Sequence, residues 1–239
     1  MAEKGSKKPK SGGPKAPQEF GSSLADFEID TELGRGSHGV VYRARSLTDD
    51  KLYVLKRIDI NKVNKATKRE VLLEVSIMRK LKHPHVIKYY TSFLEDEFLY
   101  ILMEYADGGD LHRLMKHRRR SGAFVKEDDV WMFAYQLSLA LEYLHSQNIV
   151  HRDIKCLNVF LTKHKIVKIG DMGISQVLEQ GSFERTRVGT PLFLAPELVR
   201  GYPYDFKVLS ARTNPVLGRH LGHGLRDVLA DRAGTAVFG

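Results

Sequence analysis

Residues 151–158 read HRDIKCLN, and Asp171 opens the triplet DMG thirteen residues after Asn158. Phosphoryl transfer needs a carboxylate that orients the attacking hydroxyl, a cation on the transferred phosphate and oxygen ligands for Mg²⁺. Asp153 supplies the carboxylate, Lys155 supplies the cation, and Asn158 and Asp171 supply the metal ligands in the required order. A chance match of both segments at this spacing is negligible, so they predict a phosphoryl-transfer site.

A glycine-rich run lies far upstream, where residues 33–41 read LGRGSHGVV. Glycines let backbone amides approach phosphate oxygens without a Cβ in the way, and the last valine of the run can cover an adenine ring. The same spacing also marks dinucleotide-binding folds or a plain turn, but here a strand-like run rather than a helix follows the last glycine. The predicted nucleotide-binding residues of this run are Leu33, Gly34, Arg35, Gly36, Ser37, His38, Gly39, Val40 and Val41.

Lys56 ends the strand-like run at residues 53–56 and is placed to reach the α- and β-phosphates of a nucleotide. Its expected partner is a glutamate on the helix that follows. Both Glu70 and Glu74 qualify, because a spacing of four residues puts them on one helical face. An ordinary lysine at the end of a strand is the alternative interpretation of Lys56.

The order of elements indicates an α+β chain in two lobes. Residues 27–60 alternate apolar and polar side chains between Gly and Asp breaks, which is typical of strands. A helix follows with one apolar stripe, then two more strand-like runs, a Gly108-Gly109 break and a mainly helical half with a long helix from about Asp128 to Gln147. The predicted stripe consists of Val71, Val75, Met78 and Leu81.

Composition limits the class of protein. The chain has 239 residues, 42% of them apolar, a formal net charge of +9 and a single cysteine, Cys156. One cysteine cannot form an internal disulfide, and no apolar run of membrane-spanning length or signal-peptide core occurs, so we expect a cytoplasmic protein, with cytoskeletal, centrosomal or nuclear placement as finer alternatives. The basic run at residues 116–120 permits nucleic-acid binding, but a solvated helix end explains it more simply.

The chain resembles eukaryotic protein kinases from about Phe27 to Val208. A lysine two residues after the aspartate, here Lys155 after Asp153, makes the catalytic loop resemble that of serine/threonine kinases rather than tyrosine kinases. Four segments further resemble the NIMA-related family, whose members regulate mitosis, centrosomes and cilia. These segments are KLYVLKRIDI, HRDIKCLNVFL, VKIGDMGISQVL and TRVGTPLFLAPELV.

This resemblance implies ATP and Mg²⁺ as cofactors and Ser/Thr of proteins as substrates. It favours Glu74 as the partner of Lys56, with Glu70 left as a solvated charge. Met103 is implied at the gatekeeper position, Glu104 and Ala106 in the adenine-binding hinge, and Phe160 under the adenine ring. Together with Asp153 and Lys155, the pair Lys56 and Glu74 forms the expected catalytic set.

The resemblance also implies roles for the segment between Asp171 and Glu197. Thr186 matches the threonine at which such kinases are activated by phosphorylation, with Arg152 as the charge-assisted partner, and an unmodified surface hydroxyl is the alternative. Thr190 would lie in the substrate-facing loop, near Asp153. Met172 replaces the usual Phe or Leu, and its apolar, flexible side chain is expected to pack against the Glu74 helix.

The family pattern stops after Val208, where the family continues with Asp-x-Trp and this chain continues with Leu209. Beyond Lys207 there is no further lysine and glycine is abundant, which indicates a changed reading frame, a retained intron or an alternative exon; a divergent but functional helix is the alternative. Without the family's buried helix, we expect apolar side chains near Leu137, Leu141 and Leu144 to be exposed.

The predicted fold is a two-lobed α+β kinase fold with a small β-rich N-lobe and a mainly helical C-lobe that is incomplete after residue 208. The predicted boundaries are a disordered basic tail at 1–26, an N-lobe at about 27–103, a hinge at 104–107, a partial C-lobe at 108–208 and a segment unlike kinases at 209–239. Activity as a protein kinase is the leading hypothesis. A catalytically impaired, kinase-like binding or regulatory protein is the alternative. No membrane and no specific nucleic acid are expected as partners, and the sequence does not indicate an oligomeric state.

Overall fold

The computed structural model describes residues 22–36, 39–62 and 64–172, together with the backbone of residues 176–177. Its first half is a five-stranded antiparallel sheet in the order β1-β2-β3-β5-β4 with one helix, α1. These elements are β1 (Phe27–Gly36), β2 (Gly39–Ser46), β3 (Leu52–Asp59), α1 (Lys65–Lys80), β4 (Tyr89–Glu95) and β5 (Phe98–Glu104).

The second half is mainly helical within the described range. Short strands frame the catalytic region, and β6-β8-β9 form a small sheet while β7 pairs with β10. These elements are β6 (Gly109–Asp110), α2 (Leu111–Arg120), α3 (Glu127–Ser146), β7 (Ile149–Val150), β8 (Val159–Leu161), β9 (Val167–Ile169) and β10 (Gln176–Val177). The predicted β-rich lobe followed by a helical lobe is confirmed.

Helix α1 is held at its start and along one face. The Asn64 side chain accepts a hydrogen bond from the Thr67 backbone N–H, which satisfies one of the free donors at the helix start. The predicted stripe is buried: Val71, Val75, Met78 and, just past the helix end, Leu81. Because the period of 3.6 residues also brings Glu74 onto this face, the helix carries one carboxylate toward the sheet.

Described structure begins at Ser22, four residues before the predicted end of the tail at residue 26. Residues Leu24–Asp26 form a 3-10 helix with a capping box, in which the Ser23 side chain accepts from the Ala25 N–H and Asp26 accepts from the Ser23 N–H. The Leu24 N–H donates to Glu95 Oε2 over 2.7 Å. This segment is therefore tied to the far edge of the sheet rather than solvated.

Helix α3 is the long helix of the second half, and it buries Phe133, Ala140 and Leu144. Leu144 is fully buried in the cluster that includes Ile77 and Met78 of α1, and Leu137 and Leu141 pack partly against the same cluster. The expectation of exposed apolar side chains is therefore wrong for Leu144. The physical reason is that Leu144 packs in one apolar cluster with side chains of α1, β7 and β9.

None of the helices in the described ranges is long and apolar enough to cross a membrane. The predicted segment at 209–239 lies outside the described residues, as do Ser37, His38, Gly173, Thr186, Thr190 and Glu197.

Candidate active site

A cavity of about 980 Å³ lies between the five-stranded sheet and the β8–β9 region. Its walls contain nearly all described residues that the sequence assigned to nucleotide and metal binding. From that set the walls include Leu33, Gly34, Arg35, Gly36, Gly39, Val41, Lys56, Glu74, Glu104, Ala106, Asn158, Phe160 and Asp171. Val40 is instead buried in strand β2 and does not line the cavity, because side chains alternate along a strand.

The glycines of the β1–β2 turn differ in what surrounds them. A Cβ on Gly39 would lie 2.1 Å from the carbonyl oxygen of Arg57 on the neighbouring strand, and Gly39 has a φ of +155°. A Cβ on Gly34 or Gly36 would meet nothing within 4 Å. Gly39 is therefore required by the packing of the sheet, whereas Gly34 and Gly36 leave open space along the cavity.

Lys56 and Glu74 form an ion pair inside the cavity, with Nζ 2.7 Å from Oε1. Their side chains are only 15% and 6% exposed. Strand β3 positions the lysine through pairing with β2 and β5, and the buried face of α1 positions the glutamate. Glu70 is exposed one turn earlier, so of the two candidates the structure brings Glu74 to the lysine.

The end of β5 is fixed by contacts that the sequence did not reveal. Glu104 forms an ion pair with Lys168 of β9, with Oε1 2.6 Å from Nζ. The other carboxylate oxygen accepts the Lys88 N–H over 3.1 Å, and the Glu104 N–H donates to the Lys88 carbonyl. The hinge residue Glu104 is thus bound to both halves of the fold, and no spacing rule links residues 104 and 168.

The catalytic-loop carboxylate is held by two side chains for which the sequence predicted other roles, Lys155 on the phosphate and Asn158 on the metal. Lys155 Nζ donates to Asp153 Oδ2 over 2.7 Å, and Asn158 Nδ2 donates to the same oxygen over 2.9 Å and to the Asp153 carbonyl over 2.8 Å. Asn158 is 4% exposed. Its side chain thus fixes the loop with its amide nitrogen, which leaves the amide oxygen for another ligand.

His151 anchors this loop from beneath. Burial lowers the pKa of His151, so its ring is neutral. Because the Gly170 carbonyl can only accept, Nε2 carries the proton and donates to it over 2.9 Å, while Nδ1 accepts the Asp153 N–H over 3.3 Å. In this tautomer the ring is hydrogen-bonded both to Asp153 and to Gly170, the residue before Asp171. The position of one carboxylate relative to the other is therefore fixed through the His151 ring.

Left-handed backbone occurs at Arg152 and Asp171, with φ values of 66° and 59°. Such values are uncommon for residues other than glycine and cluster at functional sites. Met172, next to Asp171, is 2% exposed and belongs to the same buried cluster as Val75 and Met78 of α1. The chain therefore turns sharply at Asp171, so that the carboxylate lines the cavity while the methionine enters the core.

Cys156 is half-buried at the catalytic loop, with Sγ 3.7 Å from Met115 Sδ. Burial raises its pKa, which lowers the thiolate fraction at neutral pH.

Two residues that the sequence interpretation passed over, Asp110 and Arg113, also line the cavity. The Asp110 side chain caps helix α2 by accepting the Arg113 N–H over 2.7 Å.

Comparisons with known proteins agree with this geometry. Residues 27–208 match the family model described as a protein kinase domain. Among curated proteins, the chain is 39% identical over 177 residues to mouse serine/threonine-protein kinase Nek4, covering 73% of this chain and 22% of that protein. It is 40% identical over 185 residues to zebrafish Nek8, covering 77% and 26%, and 35% identical over 187 residues to the probable kinase nek2 of Dictyostelium discoideum, covering 76% and 45%. The chain thus spans less than half the length of these relatives.

Proposed function

The chain belongs to the protein kinase family, with NIMA-related serine/threonine kinases as its relatives, and we propose that it transfers the γ-phosphoryl group of ATP to Ser or Thr of proteins. One observation carries the proposal: the buried Lys56–Glu74 ion pair lines the same cavity as Asn158 and Asp171. The phosphate-binding group and the metal-binding oxygens therefore converge on one space, as phosphoryl transfer requires.

The cavity fits a nucleotide with Mg²⁺. Val41 and Phe160 supply apolar walls, and the exposed backbone of Gly34 and Gly36 leaves room for phosphates. Asn158 offers a buried amide oxygen that accepts no hydrogen bond from any described residue, and Asp171 offers a carboxylate. Oxygen donors of this kind suit Mg²⁺. When bound, Mg²⁺ neutralises charge on the transferred phosphate.

Each catalytic side chain then has a defined role in the reaction. Lys56, fixed by Glu74, would hold the α- and β-phosphates, and Ala106 and Glu104 would present hinge backbone to the adenine. Asp153 would orient the substrate hydroxyl and accept its proton, because Asn158 and Lys155 hold the carboxylate in one position. Lys155 would also offset the negative charge on the transferred group.

We extend the proposal to regulation and location. Phosphorylation of Thr186 would create a charge-assisted pair with Arg152, and Thr190 would hydrogen-bond near Asp153. Family resemblance supports a cell-cycle, centrosome or cilium role and a cytoplasmic or cytoskeletal location. Mass spectrometry of active protein, with a Thr186→Ala variant, tests the regulatory part: full activity with Thr186 unmodified contradicts it.

The alternative function is a kinase-like binding protein. Its support is that the family match ends at Val208, although residues 209–239 follow in this chain. Such a protein would bind nucleotide in the cavity without turnover. Substrate phosphorylation and nucleotide binding therefore need separate measurements.

The test is transfer of radiolabel from ATP to a mixed protein substrate by the full chain, with Asp153→Asn and Lys56→Met as variants. We expect transfer by the native chain and a loss of at least about 10³-fold in either variant, because each loses a group acting on the reaction. Nucleotide binding, followed by the thermal shift with ATP and Mg²⁺, should survive Asp153→Asn. Binding by the native chain without transfer would favour the alternative function.

A further inference from the structure

Helix α2 carries a basic stripe, defined here as Arg113, Lys116, His117 and Arg120. The spacing i, i+3, i+4, i+7 puts these four side chains on one face of the helix. All four are exposed, whereas Leu111 and Leu114 of the opposite face pack against the cluster around Phe133 and Val159. The helix is therefore anchored by one side and presents its cations on the other.

No member of the basic stripe forms an ion pair within the described part of the chain. Helix α2, LHRLMKHRRR, contains no acidic residue, and none of its basic side chains takes part in the ion pairs found among those residues. Like charges at i,i+3 and i,i+4, such as Arg113 with Lys116 or Lys116 with Arg120, destabilise a helix. The favourable interaction of cations with a helix C-terminus reaches only the last turn, so it does not account for Arg113 or the stripe as a whole.

The position of the stripe points to its partner. Arg113, its first member, lines the candidate active-site cavity, as does the capping residue Asp110. From Arg113 to Arg120 the stripe runs away from the cavity over about 10 Å, at 1.5 Å per residue. An extended segment covers that distance with about three residues.

We infer that the basic stripe of α2 is a docking site for an acidic segment of the protein substrate, about three Asp or Glu residues long, that flanks the phosphorylated Ser or Thr. This inference rests on the proposed function, because it assigns a substrate class to the same cavity. A protein segment fits better than a nucleic acid, since the stripe begins at the rim of a cavity proposed to act on protein hydroxyls and contains no Phe, Tyr or Trp for base stacking.

The test uses the full chain and a charge-reversal variant, Lys116→Glu with Arg120→Glu. The matched control is Lys65→Glu with Lys68→Glu, which makes the same charge change at exposed, unpaired lysines of α1. A second variant, Lys116→Gln with Arg120→Gln, removes the charges without introducing acidic ones. Equal melting temperatures in the four proteins establish that each is folded.

The first measurement is binding of a labelled peptide with three glutamates on one side of an alanine in place of the acceptor, followed by fluorescence anisotropy. We expect binding that weakens about tenfold in the reversal variant, less in the glutamine variant and not in the α1 control. It should weaken further as salt is raised, because exposed charges are screened over about 8 Å at 0.15 M. Equal binding by the reversal variant and the control overturns the inference.

The second measurement is kcat/KM for peptides that share one acceptor and carry the glutamates before it, after it or not at all. For the native chain we expect kcat/KM to be higher for one of the two acidic peptides than for the neutral peptide. In the reversal variant this difference should disappear, while kcat/KM for the neutral peptide stays unchanged. A single-stranded oligonucleotide is the competing ligand. If it binds the basic stripe more tightly than the acidic peptides do, the inference that the stripe binds a protein segment is overturned. If no peptide is phosphorylated but acidic binding still depends on the stripe, the proposed function fails while the acidic docking site stands.

Discussion

The five-stranded sheet with α1 and the helical region from α2 onward hold their parts of the site in different ways. Both regions contain fully buried apolar side chains, such as Leu55, Ile101 and Leu102 in the central strands and Leu144 and Ile169 in the second half. The nucleotide half of the site rests on the apolar core of the central strands. The catalytic loop rests instead on hydrogen bonds from His151, Lys155 and Asn158. The two halves should respond to different perturbations.

The largest expected effect comes from the apolar core of the central strands. Ile101→Ala should lower the free energy of unfolding by about 4 kcal/mol, because a fully buried side chain leaves a cavity on the central strand β5. The matched change in the other region, Leu141→Ala, removes a partly buried side chain and should cost about 1 kcal/mol. Urea unfolding of both variants measures the contrast. Equal losses would show that Leu141 is packed as tightly as Ile101.

The next effect concerns the ion pair that joins α1 to the sheet. Glu74→Gln should cost about 3 kcal/mol of stability and reduce phosphoryl transfer, because it leaves the nearly buried Lys56 ammonium without its carboxylate. Glu70→Gln, an exposed carboxylate one turn away, is the control and should change neither quantity. Thermal unfolding and a peptide phosphorylation assay check both variants. A comparable loss in the control would assign the effect to the helix rather than to the pair.

Acid should weaken the helical region before the sheet. Burial lowers the pKa of His145 and His151 in the helical region and also of His83 and His85 between α1 and β4, so these rings are neutral in the folded protein and take up protons more readily when unfolded. Their stabilising contribution is complete above about pH 6.5 and is lost as the pH falls below that value. Between pH 7.5 and 5.5 we expect a loss of about 1–2 kcal/mol.

Hydrogen exchange resolved by region tests this acid response. Amides of α3 and β7 should lose protection at pH 5.5 before those of β3 and β5, after correction for intrinsic exchange rates. His145→Gln should reduce the pH dependence, because it removes one of the rings whose pKa burial lowers. Loss of protection in the sheet first would contradict the assignment.

The smallest effect lies where the two regions meet. The Lys82 N–H, just after α1, donates to the Tyr143 hydroxyl of α3 over 2.8 Å, and the Tyr143 ring stacks on His83 with centroids 4.8 Å apart. Tyr143→Phe keeps the stacking and removes the acceptor, so it should cost about 1 kcal/mol. Tyr135→Phe, on the same helix, is the control. A melting temperature unchanged by the first variant would show that water replaces the hydroxyl.

Local patterns predicted the fold well because each element carries its own period. The alternation of β3 and β5, the α1 stripe and the order sheet then helices are readable without tertiary information. The 3-10 helix at Leu24–Asp26 was missed although Ser23 and Asp26 have capping-box spacing, because the polar composition of the tail was given more weight.

The site was predicted less completely. Motifs named Lys56, Asp153 and Asn158, but the choice between Glu70 and Glu74 needed either family resemblance or the packing of α1. The Glu104–Lys168 ion pair and the Lys82–Tyr143 hydrogen bond join residues more than sixty positions apart. Such contacts depend on how β9 and α3 pack, which no local pattern encodes. The predicted exposure of Leu144 was wrong for the same reason, since side chains of α1, β7 and β9 surround it.

Because the glycines of the β1–β2 turn have unequal surroundings, their replacement in related sequences would indicate whether selection for phosphoryl transfer had been lost. A lineage that stopped transferring phosphate would be free to replace Gly34 and Gly36, where a new side chain enters open space. It would still have to keep Gly39, because any Cβ there collides with the Arg57 carbonyl of the neighbouring strand. In a library of random substitutions, a screen for folded protein alone should therefore retain one glycine of the three, and a screen for turnover should retain all of them.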